Sequence, residues 1–320
     1  PLTFADYMRA CLYDPDHGYY SRADSRRPPW RTDYYTSVDV HPVFGRLLAR
    51  QLAEMWELLG RPAHFHAVEV GAGDGRLAAH ILDFAARALP EFYSALIYVA
   101  VECSVARRAA HATALAPHFA AGRVSSATEL PAEIPAGCIF SNELFDALPV
   151  HRVISQSGNL LEIYVGISGK ELCAVLAPPS TPALSAYFAE QGITLHEGQQ
   201  AEVCLDACRM MEEFGRCLER GFVLTIDYGH EAAELYNHRH MRGTLLAYQQ
   251  HRASEVFFAA PGEQDLTAHV NFTALDLAGR RAGLSRAGLV SQSRFLLALG
   301  RANEFADLYD DGQSETDRLR

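Results

Sequence analysis

The sequence lacks any apolar run of membrane-spanning length. Its longest, such as Gly221–Ile226 and Phe295–Leu299, fall far short of the roughly 18 residues a spanning helix requires, so a soluble chain is expected. It also lacks Gly/Ser linkers, low-complexity tracts and internal repeats, which favours one main domain carrying insertions over a string of modules. Positive charge is scarce: 28 Lys and Arg stand against 39 Asp and Glu, for a net charge of −11. That balance opposes broad contact with a phosphate backbone, and nucleic acid is not an expected substrate. No cysteine framework is present, because the seven cysteines are odd in number and scattered through apolar segments, as reduced core thiols would be. Cys204 and Cys208 share a helical stripe with Val203, Ala207, Met211, Phe214 and Leu218. No second pair or His cluster completes a four-ligand set, so no metal is expected. No apolar signal segment follows Pro1, though a leader removed before that residue would leave targeting open.

What the sequence does have is material for a large core, at 49% hydrophobic residues. Leu2–Tyr13 carries apolar residues at helical spacing and breaks at Asp14-Pro15; Val43–Leu59 repeats the helical pattern. From Phe65 onward short β-prone runs alternate with Ala/Leu-rich stretches. His64–Val70, Leu96–Val101 and Cys138–Phe140 read as strands, and Leu77–Leu89 and Val105–Phe119 as helices. Such alternation implies a parallel sheet covered on both faces, an α/β class. Arg152–Leu176 interrupts it with two hairpin signals, Gly158-Asn159 and Gly169-Lys170, and reads as an antiparallel insertion over about 151–200. Glu202–Leu218 then reads as a helix and Phe222–Asp227 as a further buried strand. The expected layout is a helical segment over 1–60, a Rossmann-like domain over 61–300 and an acidic tail over 301–320.

The strongest local signal is Val68-Glu69-Val70-Gly71-Ala72-Gly73-Asp74-Gly75-Arg76-Leu77, a strand, a glycine turn and a helix start. Gly71 permits the turn, while Gly73 and Gly75 let backbone approach a ligand. A bland alternative is a tight turn in which Asp74 caps the helix. The spacing is G-x-G-x-G, not the dinucleotide G-x-G-x-x-G, and a carboxylate at Asp74 would repel a pyrophosphate at the helix N-terminus. Adenosylmethionine has no phosphate and carries an ammonium and a sulfonium, so acids suit its loop. Glu102, at the end of Leu96–Val101, could accept the ribose hydroxyls, with a plain surface carboxylate as the alternative. A third strand ends in Ser141-Asn142-Glu143-Leu144-Phe145-Asp146-Ala147-Leu148-Pro149. Asn142, Glu143 and Asp146 are therefore expected at the reactive end of the cofactor. If Asn142 instead capped a short helix ended by Pro149, the two carboxylates would stay unexplained.

These three motifs occur in order with Gly18-Tyr19-Tyr20, Thr36-Ser37, Asp227-Tyr228-Gly229, Gly243-Thr244-Leu245 and Asp265-Leu266-Thr267-Ala268-His269-Val270-Asn271-Phe272. Together they resemble the MidA-like family of mitochondrial complex I assembly methyltransferases and their bacterial relatives, from about Leu2 to Gly300. The resemblance implies a class I, Rossmann-like S-adenosylmethionine methyltransferase fold with an N-terminal helical lid. It implies cofactor contacts from Thr36, Ser37, Glu69, Gly71, Gly73, Asp74, Gly75, Glu102 and Asn142. In the mitochondrial members it implies symmetric dimethylation of an arginine in a complex I subunit. The chain departs from the family pattern at Val38-Asp39, where Pro-Glu is usual, and at Arg46, where an acid is common.

The expected function is therefore transfer of a methyl group to arginine in a protein partner, in the cytoplasm of a bacterium or the mitochondrial matrix of a eukaryote. Guanidinium remains protonated to above about pH 12, so carboxylates must hold it bidentately and accept charge as the nitrogen reacts. Glu143 and Asp146, with Asn142, are the first catalytic candidates; Asp227, Asp265 and His269 are expected to bind substrate. The competing readings are a small-molecule methyltransferase, which would need a closed pocket, and an assembly chaperone that binds cofactor without turnover.

Overall fold

The computed structural model describes residues 1–21, 41–249, 252–301 and 305. In chain order the strands are β1 (Leu2–Thr3), β2 (Phe65–Val70), β3 (Leu96–Val101), β4 (Val124–Ala127), β5 (Gly137–Asn142), β6 (His151–Gln156), β7 (Asn159–Ser168), β8 (Glu171–Ala177), β9 (Gln200–Val203), β10 (Gly221–Ile226), β11 (Gly229–His230), β12 (Leu246–Gln249), β13 (Arg252–Ser254), β14 (Asp265–Thr267) and β15 (Val270–Asn271). The described residues fall into two compact units. One draws on residues 41–142, 216–226, 287–301 and 305, the other on residues 1–21, 143–215, 227–249 and 252–286.

The first unit is built on a parallel sheet in the order β10-β5-β2-β3-β4. Its inner strands are Val-, Ile- and Ala-rich because both faces are covered, as parallel sheets demand. Val68, Ala100 and Ile139 are fully buried. Helix Arg76–Ala88 turns Leu77, Ile81, Leu82, Phe84 and Ala85 inward, and helix Val43–Leu58 adds Phe44, Leu48, Leu52 and Trp56 to the same core. Burial of each such side chain stabilises by about 1.5–3 kcal/mol relative to exposure. From β2 the chain steps one way to β3 and β4, then returns to the other side of β2 as β5 and β10. Strand order thus reverses between β2 and β5, and ligands of open α/β sheets bind outside the carboxyl ends at that point. The Rossmann-like α/β class read from the sequence is what the chain adopts.

The second unit is mainly antiparallel. β1, β7, β6 and β9 pair in that order, with β8 on the other edge of β7, and β12 pairs with both β13 and β14. The hairpins at Gly158-Asn159 and Gly169-Lys170 are both formed. Helix Phe4–Tyr13 begins at Thr3, whose hydroxyl accepts the Asp6 N–H at 3.1 Å and fills one orphan donor of the first turn. Its Phe4, Tyr7, Met8 and Leu12 bury against Leu245, Phe257 and Leu266. Residues 1–21 and Val43–Leu58, read above as one helical segment, therefore contribute to different cores.

Two elements differ from the sequence reading. Gln200–Val203, read partly as helix, is β9, paired with β6 in the register Val153↔Ala201; the helix begins only at Leu205. Val105–Phe119 is two helices, Val105–Ala114 and Ala116–Ala120, because Pro117 lacks the N–H that a continuous helix would need there.

Candidate functional site

In the parallel unit the site grows from the carboxyl ends of β2, β3 and β5. Gly71 and Ala72 donate their N–H groups to the Val101 carbonyl at 2.9 and 3.0 Å. Gly73 then sits at φ +57° and Gly75 at φ +85°, left-handed conformations that cost little only to glycine. A Cβ at Gly75 would come within 3.0 Å of the His111 ring, whereas at Gly73 the nearest atom would be Arg107 Nη1 at 4.0 Å. The loop is therefore packed on one side and open at Gly73.

Glu102 is 7% exposed. One of its oxygens accepts the Gly73 N–H at 2.8 Å and the other accepts the Ser104 N–H at 2.8 Å. The residue proposed for ribose hydroxyls thus also ties the glycine loop to β3, with lone pairs left for further donors. On the other side of Gly73 its carbonyl lies 2.9 Å from His111 Nε2, while Nδ1 lies 2.8 Å from the Ser126 hydroxyl. Since a carbonyl can only accept, Nε2 carries the proton. His111 is 38 residues beyond Gly73 in a helix with no motif around it, and nothing in the sequence singled it out.

Glu69 is buried, and its carboxyl accepts the Tyr98 hydroxyl at 2.6 Å. Burial raises its pKa to about 8 despite that hydrogen bond, with Asp74 and Glu102 adding repulsion; it is a mostly neutral acid at pH 7. Asp74 is exposed, and its carboxylate accepts the Arg76 N–H at 3.1 Å and an Arg76 guanidinium N–H at 2.9 Å. Gly75, not Asp74, stands at the helix N-cap. Asn142 ends β5, and no helix follows it over 143–149, so the capping alternative does not describe it. Thr36 and Ser37 lie outside the described residues.

The acidic candidates assemble in the antiparallel unit. The chain enters it directly after Asn142 and after Ile226, the last residues of the neighbouring strands β5 and β10. Glu143 takes φ +51°, a conformation that costs a non-glycine residue about 1 kcal/mol or more and that clusters at functional sites. Asp227 Oδ2 accepts the N–H groups of Leu144 and Phe145 at 3.1 and 2.8 Å, and Oδ1 that of Tyr228 at 2.9 Å. It therefore holds the Glu143–Asp146 turn in place. Asp265 is wholly buried and accepts the Tyr20 hydroxyl at 2.8 Å. Asp146 is buried, and its Oδ1 has no hydrogen-bond partner among the described residues.

Burial, and then the charges of Asp227, Asp265 and Glu143, push the Asp146 carboxyl well above the usual range. Burial also lifts Asp227 to about 6, even though four backbone N–H groups pull it down. His269 belongs to a different group: its ring lies 5.3 Å from that of His230, its N–H donates to the Thr244 hydroxyl at 3.0 Å, and burial lowers its pKa. Tyr20, which orients Asp265, was visible only as part of the Gly18-Tyr19-Tyr20 string.

The glycine loop, open at Gly73 and bordered by buried acids, fits a cofactor that is small at its methionine end and carries no phosphate. Comparison with known proteins agrees. Residues 47–290 match the model of an S-adenosyl-L-methionine-dependent methyltransferase family, Methyltransf_28. Similar curated proteins include the Drosophila melanogaster protein arginine methyltransferase NDUFAF7 homolog, mitochondrial, 28% identical over 92% of this chain and 71% of its own length. The Homo sapiens protein arginine methyltransferase NDUFAF7, mitochondrial, is 29% identical over 94% of this chain and 70% of its own. Among solved structures, a COG1565 superfamily member from Burkholderia thailandensis bound to S-adenosyl-homocysteine is 33% identical, with a TM-score of 0.85 over 100% of this chain and 80% of that one. The chain belongs to the MidA-like family of S-adenosyl-L-methionine-dependent methyltransferases, and S-adenosyl-L-methionine is its cofactor.

Proposed function

We propose that this methyltransferase modifies arginine in a protein acceptor, by symmetric dimethylation and on a respiratory complex I subunit. The observation that carries the reading is the set of four acids in one unit, Glu143, Asp146, Asp227 and Asp265, in which an Asp146 oxygen is buried without a hydrogen-bond partner among the described residues. Buried carboxylates of this kind are unfavourable alone and favourable beside a cation, and guanidinium presents a planar fork that matches them. The names of the fly and human relatives, protein arginine methyltransferases of the mitochondrion, support the same acceptor.

S-adenosyl-L-methionine supplies an electrophilic methyl group; the protein must supply orientation and somewhere for a proton to go. Gly73 and Gly75 shape the donor loop, Glu102 and His111 fix the backbone of Gly73, and Glu69, Asp74 and Asn142 border it. Glu143 and Asp146 hold the guanidinium, and Asp227, poised near neutrality, takes the proton that the reacting nitrogen loses. Asp265, oriented by Tyr20, keeps the field negative. The test is incubation of labelled S-adenosyl-L-methionine with the purified protein and a lysate of cells lacking it, followed by mass spectrometry of the labelled product. Label on arginine is the expected result. Label confined to small molecules, or equal labelling of an acceptor whose arginine is replaced by lysine, would overturn it.

A further inference from the structure

The antiparallel unit contains a cleft of about 690 Å³, within the range of built ligand sites. One wall is apolar, with Ile154, Ile163 and Leu176 from the β6–β8 face and Val256 opposite. Leu176 and Val256 stay 45% and 60% exposed, so the apolar wall runs out to the surface. The cleft also contains Arg152, which is 8% exposed. Its guanidinium lies 4.8 Å from the Phe257 ring and 5.2 Å from that of Phe4 and donates to Gln200 Oε1 at 2.9 Å. Its Nε has no hydrogen-bond partner among the described residues. Glu202 and Glu255 offset its charge in part, but Glu255 is already paired with Arg242. Of the residues that line the cleft, two carry guanidinium groups and one a carboxylate. With Glu202 beside Arg152 the acids and guanidiniums number two each, and what marks the cleft is a buried guanidinium whose Nε is unmatched among the described residues.

The register of one ribbon links the cleft to the acids. Leu246, in the cleft, pairs with Thr267, and Tyr248 pairs with Asp265. The cleft therefore lies two residues, roughly 7 Å of extended chain, from the carboxylate cluster. We propose that the cleft binds the stretch of acceptor polypeptide beside the target arginine, taking an acidic side chain toward Arg152 and branched apolar side chains over Leu176 and Val256. The proposal rests on the protein-arginine reading above. Two guanidiniums set against two acids are too little for a nucleic-acid backbone, and a trough open along its apolar rim suits an extended segment better than an enclosed metabolite.

The test uses synthetic peptides with one central arginine in a Leu/Ser background and one Glu scanned through the neighbouring positions, each with a Gln twin. Binding to the full chain with S-adenosyl-homocysteine present is followed by fluorescence anisotropy. One Glu position, about three residues from the arginine, should bind roughly tenfold more tightly than its twin, the scale of a charge-assisted hydrogen bond. Arg152→Met should abolish that preference. Because Arg152 is buried, Val256→Asp on the exposed rim provides a second variant, and it should weaken every peptide by about tenfold while the melting temperature holds. If no Glu position outperforms its twin, or if Val256→Asp binds as the unaltered chain does, the proposal fails. Methyl transfer to the peptide is read separately. A Glu preference without methylated arginine would keep the cleft and refute the arginine reading, whereas methylated arginine without a Glu preference would do the reverse.

Discussion

The two acidic regions of the molecule treat their carboxylates in opposite ways. In the parallel unit Glu102 spends its oxygens on the N–H groups of Gly73 and Ser104, and the charge serves to hold a backbone shape. In the antiparallel unit Asp146 is buried among Asp227, Asp265 and Glu143 with one oxygen unmatched among the described residues. Burial and its acidic neighbours push that carboxyl toward its protonated form. Shape is complete before the donor arrives, because loop amides are always available to satisfy a carboxylate. Asp227 and Asp265 find donors in backbone N–H groups and the Tyr20 hydroxyl, so it is the unmatched Asp146 oxygen that a cation or a proton would complete.

The sharpest way to break the comparison is to spoil the shape alone. Gly73→Val should abolish S-adenosyl-L-methionine binding, a loss of a hundredfold or more by calorimetry. A branched side chain resists φ +57° and would project into the open side of the loop. The fold should survive, because only Arg107 lies within reach of the new Cβ. Normal binding by a folded variant would make the turn purely structural.

Spoiling the charge alone should leave donor affinity in place. Glu143→Gln should lower turnover by about a hundredfold, the scale on which one preorganised electrostatic group is felt. Combination with Asp146→Asn should be less than additive if the two hold one guanidinium. Single-turnover assays of both variants and the double variant decide this; undiminished turnover would remove the arginine mechanism.

A smaller effect separates the buried acids from ordinary ones. Glu69 keeps its proton to about pH 8 when folded, but releases it near its ordinary value of about 4.3 when unfolded. The folded state therefore binds the extra proton between those limits, and this part of its stability is whole below about pH 4 and lost as pH rises toward 8. Thermal melts should show a steeper fall from pH 5 to pH 8 for the natural chain than for Glu69→Gln, by the equivalent of a few kcal/mol at most. Parallel curves would mean that Glu69 is ionised in the fold. The smallest change should come from Asp146→Asn, which removes an acid whose ionisation the fold disfavours: its melting temperature at pH 8 should match or exceed that of the natural chain by a few degrees.

Much of this was legible because buried parallel strands announce themselves. Phe65–Val70, Leu96–Val101 and Gly137–Asn142 are short, mostly apolar runs, and Glu69, Glu102 and Glu143 stand at or just beyond their ends. Gly71, Gly73 and Gly75, set between strand and helix, mark a turn whose backbone must leave room beside it. Glu143, Asp146 and Asp227 follow strand ends, and their shared neighbourhood could be argued from that alone. Tyr20 on Asp265 could not, because the two are 245 residues apart and no local pattern records a pairing that long. Strands of two to four residues such as β11, β14 and β15 owe their conformation to partners, and Gln200–Val203 was lost to the helical stripe beside it for the same reason. The protonation of Glu69 was equally hidden, since glutamate in sequence carries no mark of the burial that neutralises it.

The return of β10 to the edge of the parallel sheet has a consequence for how the chain is made. Its partner β5 ends at Asn142, but β10 begins only at Gly221, after Glu143–Gly215 of the other unit has been synthesised. On a ribosome the four strands β2 to β5 can pair early, with the β5 edge bare, while the intervening residues emerge at about 5–20 per second. For several seconds the nascent sheet presents an unpaired apolar edge of the kind that recruits other strands. A chaperone or slow codons placed between β5 and β10 would act on that interval, and substitutions that delay the antiparallel unit should reduce the yield of folded protein before they alter the stability of what folds.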